Sequence, residues 1–250
     1  MNSIEKNNLN KFSSKSSVQF YKDYVDLQDC EKYIFDKHIK SSFSILDIGI
    51  GAGRTTLHLN NHVKDYIGID YSEEMIDAAK EKFPYLNLLV MNAEKLNFPT
   101  NNFDLLLFSF NGIDYFGSSS ERDNFFQEAS RVLKPSSKLI FSSHNINCYV
   151  LAPSLSNVNI IKKTWRILRT FITTIKHLLM LLRYNLIFKD HGYIWDKTHG
   201  GLKTFISSVS YFERELDKHG FDLSEVIPSH ISSGLKFLSP WIYYVAIKRK

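Results

Sequence analysis

The sequence predicts an α/β fold, in which a mainly parallel sheet carries helices on both of its faces. Between residues 44 and 145, short apolar runs of strand length alternate with amphipathic stretches of helix length. The first apolar run ends in a glycine-rich turn that leads directly into a helix, as in a strand–loop–helix unit. The chain of 250 residues is 44% hydrophobic and 14% aromatic, so it can bury a core of this size.

The first part of the chain supplies most of this alternation. Each predicted strand is a short apolar run bounded by polar or turn residues, and the strands lie at 44–48, 65–70, 87–91, 103–109 and 138–143. Each predicted helix shows helical spacing of apolar residues, and the helices lie at 18–39, at 53–60, from Ser72 onward and at 121–133. Ser72 is a suitable N-cap, because a serine side chain can accept a hydrogen bond from the first helical turn. Pro135 stops the helix that precedes the fifth strand.

The pattern changes after residue 150. Residues 158–189 are apolar and basic with helical spacing, which indicates an amphipathic helix or helix pair. A helix at 208–219, closed by Gly220, and two strands at 221–227 and 242–248 then return the chain to the sheet. Only the first fifteen or so residues, rich in Asn, Ser and Lys, are expected to be disordered.

The turn after the first strand is the most informative motif. Residues 45–54 read Ile-Leu-Asp-Ile-Gly-Ile-Gly-Ala-Gly-Arg, so Gly49, Gly51 and Gly53 alternate where the strand becomes a helix. Glycines let a backbone turn sharply and let a ligand approach without a Cβ in the way. The second strand ends in Asp70, whose carboxylate could accept both hydroxyls of a ribose. The pair predicts a nucleoside-binding site at the carboxyl edge of the sheet.

The spacing of the glycines separates two kinds of nucleoside ligand. A dinucleotide fold requires Gly-x-Gly-x-x-Gly, which would place its third glycine at position 54, but that residue is Arg54. The third glycine comes one position earlier, and Asp47 precedes the first glycine by two. The resulting Asp-x-Gly-x-Gly-x-Gly order resembles motif I of the class I S-adenosylmethionine-dependent methyltransferases.

Three later segments extend this resemblance over residues 44–145. Residues 92–99 (Asn-Ala-Glu-Lys-Leu-Asn-Phe-Pro), 101–107 (Asn-Asn-Phe-Asp-Leu-Leu-Leu) and 131–140 (Arg-Val-Leu-Lys-Pro-Ser-Ser-Lys-Leu-Ile) are similar to the family's segments around strands three to five. Two positions depart from the pattern: Asn92 stands for an aspartate, and Ser136 and Ser137 stand for a glycine pair. The resemblance implies a Rossmann-like, seven-stranded mixed sheet of order 3-2-1-4-5-7-6 with a helical insertion after strand five. It also implies S-adenosylmethionine as cofactor.

The resemblance assigns residues to the methyl-donor site. Tyr24 and Gly112 are additional candidates for its walls. The residues expected to bind the cofactor are Tyr21, Asp47, Gly49, Gly51, Gly53, Arg54, Asp70, Tyr71, Met75, Asn92, Ala93, Glu94, Ser109, Phe110 and Asn111.

Few catalytic groups are needed, because transfer from a sulfonium depends mainly on holding the reactants in line. A hydroxyl acceptor benefits from a general base, and His144, directly after strand five, is the first candidate. Asp114 and Tyr115, in the loop after strand four, are further catalytic candidates. His191 and His199 flank an aromatic segment that could bind substrate. No group of residues has the spacing of a metal site, and we expect none.

The positive charge is concentrated in one window. Residues 129–189 contain no Asp or Glu, although the whole chain has a net charge of only +5. The basic residues of this window are Arg131, Lys134, Lys138, Lys162, Lys163, Arg166, Arg169, Lys176, Arg183 and Lys189. The window predicts an anionic partner, and the apolar part of 158–189 is either a cap over the active site or a helix lying on anionic lipid. Its charges argue against a membrane span.

These patterns divide the chain into four expected regions: 1–40 as tail and lid helix, 41–150 as cofactor-binding core, 151–200 as basic insertion and 201–250 as completion of the sheet. Two cysteines, Cys30 and Cys148, and an N-terminus without an apolar run favour a cytoplasmic protein, with membrane association left open.

The loops after strands four and five also resemble those of bacterial methyltransferases of surface-polysaccharide and lipopolysaccharide assembly. This resemblance implies a sugar or other small anionic acceptor. A lipid or quinone-like acceptor at the membrane remains an alternative, as does a cofactor-binding protein without catalysis. A nucleic-acid-binding protein is a further alternative, although the apolar face of 158–189 argues against it and we expect no nucleic-acid partner.

Overall fold

The computed structural model describes residues 3–148, 160–196, 201–229 and 239–250. The strands are β1 (Ser44–Ile48), β2 (Asp65–Asp70), β3 (Asn87–Val90), β4 (Phe103–Phe108), β5 (Leu133–His144), β6 (His191–Asp196), β7 (Leu202–Ser207), β8 (Phe221–Pro228) and β9 (Trp241–Lys248). The helices are α1 (Ser3–Phe12), α2 (Lys15–Asp23), α3 (Asp29–His38), α4 (Arg54–Leu59), α5 (Glu73–Lys82), α6 (Ser119–Val132), α7 (Ile160–Arg183) and α8 (Val209–Lys218), with a short 3₁₀ helix at Gly112–Tyr115.

Seven strands form one mixed sheet in the order β3-β2-β1-β4-β5-β9-β8. Strands β1 to β5 are parallel, whereas β9 runs antiparallel to both β5 and β8. β6 and β7 pair separately as a small antiparallel sheet, which accounts for the two intervening strand numbers. The predicted order 3-2-1-4-5-7-6 is therefore confirmed once the strands of the main sheet alone are numbered.

The main sheet is covered on both faces because successive side chains of a strand point to opposite sides. In β4, Leu105 and Leu107 join one buried cluster, whereas Leu106 and Phe108 join the other. All four are buried. This double burial explains why the central strands read as continuous apolar runs.

The N-terminal region differs from expectation in two ways. The predicted helix at 18–39 is broken into α2 and α3, because Gln28 starts a new helix in which its backbone N–H donates to Glu31 Oε2 at 2.9 Å. The expectation of disorder in the first fifteen residues is wrong for α1. Asn8 Nδ2 donates to the Tyr115 carbonyl at 3.1 Å, and the Phe12 ring meets the Tyr115 ring at 5.0 Å between centroids. These contacts tie α1 to the carboxyl edge of the sheet.

The turn near the start of β5 accommodates Ser136 and Ser137 in place of the glycine pair of the family pattern. α6 ends at Val132, as predicted from the proline, and β5 begins immediately and contains Pro135. Ser136 adopts φ +64°, the left-handed conformation that a glycine would take without strain. The serine substitution is therefore absorbed by the turn, away from the strand ends that carry the site.

The region after β5 is built from α7 and the small sheet. Tyr193 on β6 donates its hydroxyl to the Phe116 carbonyl at 3.0 Å, and β7 packs against the 3₁₀ helix. Because β6 and β7 lie on either side of residue 200, the small sheet joins the two regions predicted at 151–200 and 201–250. None of the helices in the described part of the chain is long and apolar enough to cross a membrane.

Candidate active site

The glycine loop turns at the carboxyl end of β1 and is fastened to β2. Gly49 N–H donates to the Ile69 carbonyl at 2.8 Å. Gly53 has φ +88°, and a Cβ there would lie 2.7 Å from the Phe83 ring, so packing alone requires glycine. Gly51 has φ +55°, and a Cβ there would instead point between Tyr21 and Met75, at 3.8 and 3.9 Å. The middle glycine thus leaves a gap open, whereas the third fits against a neighbouring side chain.

Asp70 lies at the tip of β2 beside this loop. Its Oδ2 accepts the Gly51 N–H at 2.8 Å, and its Oδ1 accepts the Ser72 N–H at 2.9 Å. Burial raises the pKa of Asp70 to about 6, although these backbone hydrogen bonds favour the ionised form. Each carboxylate oxygen has a second lone pair. The side chain can therefore hold the loop and still accept hydrogen bonds from a diol.

A single cleft collects most of the residues predicted to bind the cofactor. Its lining includes Tyr21, Gly49, Gly51, Arg54, Asp70, Tyr71, Met75, Asn92, Ala93, Glu94, Ser109, Phe110, Gly112 and Tyr115. Three predicted residues, Asp47, Gly53 and Asn111, lie outside the lining. Sequence reasoning did not assign the remaining lining residues, which are Asn8, Phe12, Ile48, Ile50, Thr55, Met91, Phe108 and Phe116.

Asp47 acts beneath the loop. Its Oδ2 accepts hydrogen bonds from Thr55 Oγ1 at 2.6 Å and Tyr66 Oη at 2.8 Å. Burial raises the pKa of this carboxyl to about 6. Because Thr55 belongs to α4, Asp47 fixes the start of that helix relative to β1 and β2, and so fixes the loop between them.

Arg54 combines a cleft position with a buried ion pair. Its two terminal nitrogens each donate to one oxygen of Glu31 at 2.6 Å. Burial alone would raise the pKa of Glu31, but the hydrogen bonds and charge of Arg54 outweigh it and hold that pKa low. The guanidinium also lies over the Phe110 ring, 4.7 Å from its centroid. Arg54 therefore anchors α3 to the cleft and supports one of its aromatic walls.

Asn92 follows β3 on the opposite side of the cleft. Its Oδ1 accepts the Glu94 N–H and its Nδ2 donates to Glu94 Oε1, both at 3.0 Å. The amide thus shapes the turn after β3, which is a common role for asparagine. The Oδ1 atom that could accept a hydrogen bond from an adenine amino group already accepts one from the Glu94 N–H. Its second lone pair could still accept another hydrogen bond.

Aromatic residues of the N-terminal helices cover the cleft. The Phe12 ring lies 6.3 Å from that of Tyr21, which in turn lies 6.5 Å from Phe110. Burial and the nearby charge of Asp70 raise the pKa of Tyr21 to about 12. The Tyr24 ring packs at a tilt against the Phe110 ring, 5.6 Å between centroids, and is not part of the lining. A lone aromatic at position 12 in a polar stretch gives little sequence signal, which is why Phe12 was missed.

An aspartate–histidine pair lies directly behind the cleft wall. Asp114 Oδ2 accepts hydrogen bonds from His144 N–H and His144 Nδ1, both at 2.7 Å, and Asp114 Oδ1 accepts Ser143 Oγ at 2.5 Å. Burial raises the pKa of Asp114, while the contacts with His144 oppose that rise. His144 Nε2 lies 3.4 Å from Asn111 Nδ2. With a proton on Nδ1, Nε2 is the basic nitrogen of the ring.

The other histidine candidates lie elsewhere. His191 Nδ1 contacts Asp190 at 2.8 Å, and the ring packs on Tyr211 at 4.4 Å, on the exposed side of the small sheet. His199 lies outside the described residues. Among the described residues one set of three carboxylate and imidazole groups is close enough to share a metal ion, namely Asp123, Glu215 and His219. Lys218 already pairs with Asp123 there at 2.8 Å, and no member of this set lines the cleft.

Comparison with known proteins identifies the centre of the chain. Residues 45–136 match the family model described as a methyltransferase domain. This central segment is therefore similar to a methyltransferase domain. The match covers β1 to the start of β5, the part that holds the glycine loop, Asp70 and all of the cleft lining except Asn8, Phe12 and Tyr21. It confirms the resemblance to S-adenosylmethionine-dependent methyltransferases, and S-adenosylmethionine as the cofactor that this resemblance implies.

Similar proteins agree on this domain but differ in what their names say they act on. An uncharacterized methyltransferase, YcgJ of Bacillus subtilis, is 26% identical over 136 residues, which are 51% of this chain and 52% of the relative. A ubiquinone/menaquinone biosynthesis C-methyltransferase, UbiE of Rickettsia prowazekii, is 37% identical over 109 residues, 39% of this chain and 42% of the relative. The chain therefore matches about half or less of the length of these relatives.

A solved S-adenosylmethionine-dependent methyltransferase from Methanosarcina mazei has the same fold. It superimposes with a TM-score of 0.60 over 90% of this chain and 99% of its own, at 19% identity. The likeness extends well beyond the 45–136 segment.

Proposed function

We propose that the chain is an S-adenosylmethionine-dependent methyltransferase that transfers a methyl group to a hydroxyl of a sugar or other small anionic acceptor. The observation that carries the proposal is the hydrogen-bonded pair of Asp114 and His144, directly behind the wall of the cleft that contains the glycine loop and Asp70. A surface-glycan or lipopolysaccharide role, suggested by the loops after β4 and β5, belongs to the same proposal.

The cleft residues fit the donor on three counts. Gly51 leaves open the gap that a Cβ would enter between Tyr21 and Met75. Asp70 offers a carboxylate whose second lone pairs suit the two hydroxyls of a ribose. The aromatic wall of Tyr21 and Phe110 suits the faces of an adenosyl group. When bound, S-adenosylmethionine supplies a methyl group on a positively charged sulfur.

His144 would accept the proton of the acceptor hydroxyl as that oxygen bonds to the methyl carbon and the methyl group leaves the sulfur. Asp114 accepts the Nδ1 proton and so leaves Nε2 as the base, and it stabilises the imidazolium that results. Asp114 is a positioning residue in this scheme, because it is fully buried and contacts the imidazole rather than the cleft. Tyr115, which does line the cleft, helps to orient the acceptor.

Cations beside the cleft support an anionic acceptor. Arg122 is 2% exposed, and within the described residues it has no carboxylate at ion-pair distance; its Nη1 donates instead to Tyr193 Oη at 2.7 Å. Lys203 Nζ lies 4.4 Å from the centre of the Tyr193 ring. Tyr193 in turn is bound to Phe116, a cleft residue. A buried guanidinium without a counter-charge produces a positive potential that would attract a phosphate or carboxylate.

Calorimetry with S-adenosylmethionine tests the donor site. The wild type should bind, and Gly51→Val should lose binding because the side chain enters the gap. Gly220→Val is a matched control, since Gly220 also has positive φ, +81°, but a Cβ there meets nothing within 4 Å. Both variants suffer backbone strain. The assignment of the loop would be contradicted if the Gly220 variant also lost donor binding, or if the Gly51 variant kept it.

A methyl-transfer assay over a panel of nucleotide sugars and phosphorylated sugars tests the base. His144→Gln should lower kcat by roughly 10²- to 10⁴-fold and leave the donor affinity unchanged. Asp114→Asn should lower kcat and shift its pH profile, because the amide cannot hold the imidazole in the same tautomer. Normal kcat in His144→Gln with an acceptor that wild type methylates would remove His144 from the mechanism.

A second candidate acceptor is a lipid or a quinone-like ring at a membrane. The observation that favours this acceptor is the exposed apolar side of α7. In addition, a relative named for ubiquinone/menaquinone C-methylation is 37% identical to this chain over 109 residues. A carbon nucleophile on such a ring would need deprotonation by the same imidazole. Turnover of demethylated quinones in detergent, and none of the sugar panel, would select this acceptor over the first.

A further inference from the structure

The orientation of α7 is the reverse of that expected in a globular protein. A surface helix normally turns its apolar side toward the core and its polar side toward water. In the described part of α7 nine large apolar side chains are exposed, among them Trp165 by 68% and Leu179 by 58%. The exposed apolar set comprises Trp165, Ile167, Leu168, Phe171, Ile172, Ile175, Leu178, Leu179 and Leu182.

The side of α7 that contacts the protein is small and lies elsewhere on the helix. Leu181 is buried with Ile146, Leu186 and Ile206, and His177 Nε2 contacts the Ile146 carbonyl at 2.9 Å. Projected at about 100° per residue, the exposed apolar set spans an arc of about 160°, and the protein-facing residues are centred roughly 150° away from the middle of that arc. Between Trp165 and Leu182, a length of about 26 Å, the described apolar side chains of this arc therefore point away from the domain.

The charge of α7 indicates what covers this side. The 24-residue helix contains six basic residues and no acidic one: Lys162, Lys163, Arg166, Arg169, Lys176 and Arg183. Lys176 and Arg183 are exposed and, in the same projection, lie at one boundary of the apolar arc. A second copy of this helix would bring like charges together, which disfavours self-association. An apolar stripe edged by cations instead matches a bilayer surface with anionic headgroups.

We infer that α7 is an in-plane membrane anchor that binds the domain to the surface of an anionic bilayer. The apolar arc enters the boundary between headgroups and acyl chains, and Lys176 and Arg183 extend to the lipid phosphates. Because α7 and the small sheet belong to one apolar cluster through Leu181 and Ile206, and the small sheet contacts the cleft wall through Tyr193, the bound domain would hold its cleft close to the membrane. The inference concerns binding only and does not depend on which acceptor is methylated.

Vesicle co-sedimentation of the full chain tests this anchor. The protein should bind vesicles of phosphatidylcholine with phosphatidylglycerol, and should bind pure phosphatidylcholine vesicles weakly. Lys176→Glu with Arg183→Glu should weaken binding to the anionic vesicles by roughly 30-fold or more, since each basic side chain near such a surface is worth about 1 kcal/mol. Lys32→Glu with Lys80→Glu, both exposed on other helices, changes the net charge equally and should have a much smaller effect.

The apolar arc is tested separately. Leu179→Asp should abolish vesicle binding, whereas Leu57→Asp, at an exposed leucine of α4, should not. Anionic vesicles should shift the tryptophan emission of the wild type to the blue, and Trp165→Phe should remove that shift, because Trp195 and Trp241 lie outside α7. Gly51→Val should bind vesicles like wild type, so a failure of the donor site and a failure of the anchor give different results.

Three results would overturn the inference. One is equal binding to neutral and anionic vesicles, and another is equal loss of binding in the α7 variants and their controls. The third is the absence of vesicle binding together with concentration-dependent dimers that Leu179→Asp dissociates, because these would show that a second copy of the chain covers this side.

Discussion

Donor affinity should depend on the ionisation of Asp70. Burial raises the pKa of this carboxyl from 3.8 to about 6, and only the ionised group can accept hydrogen bonds from two backbone N–H groups and two hydroxyls at once. Below pH 6 the protonated form predominates in the free protein, and a ligand that requires the ionised form must displace that proton. The dissociation constant for S-adenosylmethionine should therefore rise about tenfold for each pH unit below 6 and stay level from pH 7 upward.

Asp70→Asn is the perturbation that isolates this effect. The amide retains one acceptor oxygen but places an NH₂ group beside Gly51 N–H or Ser72 N–H, where two donors would face each other. Hydrogen bonds to a charged group contribute about 1.5–3 kcal/mol each, and the loss of about 2–3 kcal/mol corresponds to roughly 30- to 150-fold weaker binding at pH 7.5. Because the amide does not ionise, the affinity of the variant should not change between pH 5 and 7.

Calorimetric titration at several pH values gives both quantities, with thermal unfolding at each pH as the control for folding. Burial also raises the pKa of Asp47 to about 6, but its Oδ2 accepts hydrogen bonds from Thr55 and Tyr66 beneath the loop, and the side chain does not line the cleft. The Asp47→Asn variant should consequently keep the wild-type pH dependence of donor binding. If Asp70→Asn shows the same decline below pH 6 as wild type, the carboxylate at the tip of β2 does not grip the ligand.

Three further predictions concern the support of the cleft. Glu31→Gln leaves the Arg54 guanidinium buried without its counter-charge, so urea denaturation should show a loss of about 3–5 kcal/mol in unfolding free energy; a loss under about 1 kcal/mol would mean that the pair is solvated. Because burial raises the pKa of Asp47, the folded state holds this proton more tightly than the unfolded state. The free energy of unfolding should therefore fall by about 3 kcal/mol as pH rises from about 4 to about 6. Asp47→Asn should remove that part of the pH profile of thermal unfolding. Deletion of residues 1–12 removes Asn8 and Phe12 from the cleft wall and should weaken donor binding roughly tenfold in calorimetry, which unchanged affinity would contradict.

The parallel core was predictable because its signals are local. The apolar runs of β1, β2 and β4 are buried on both faces, and the glycines of the loop are required by turn geometry and packing. Both features leave a direct mark on the sequence at the positions where they act. The order of β8 and β9 is not local, and only the resemblance to a known family supplied it.

The support of the cleft was harder to predict, because it depends on contacts between distant residues. The pairing of Glu31 with Arg54 joins positions 23 residues apart, and Asp114 meets His144 across 30 residues. Asp114 was expected to act on the substrate, whereas the structure places it behind His144. α1 was missed because tertiary contacts of Asn8 and Phe12, rather than its own polar composition, hold it in place.

The position of β9 inside the main sheet has a consequence for how the chain is made. β8 precedes β9 in synthesis, yet β8 pairs only with β9 in this sheet, and β9 also pairs with β5. Until β9 has been made and is free to pair, the edge of β5 that β9 will cover and the whole of β8 therefore lack hydrogen-bonded neighbours in this sheet. Exposed strand edges of this kind attract other chains, so released chains that are truncated between 228 and 248 should aggregate rather than form a folded domain.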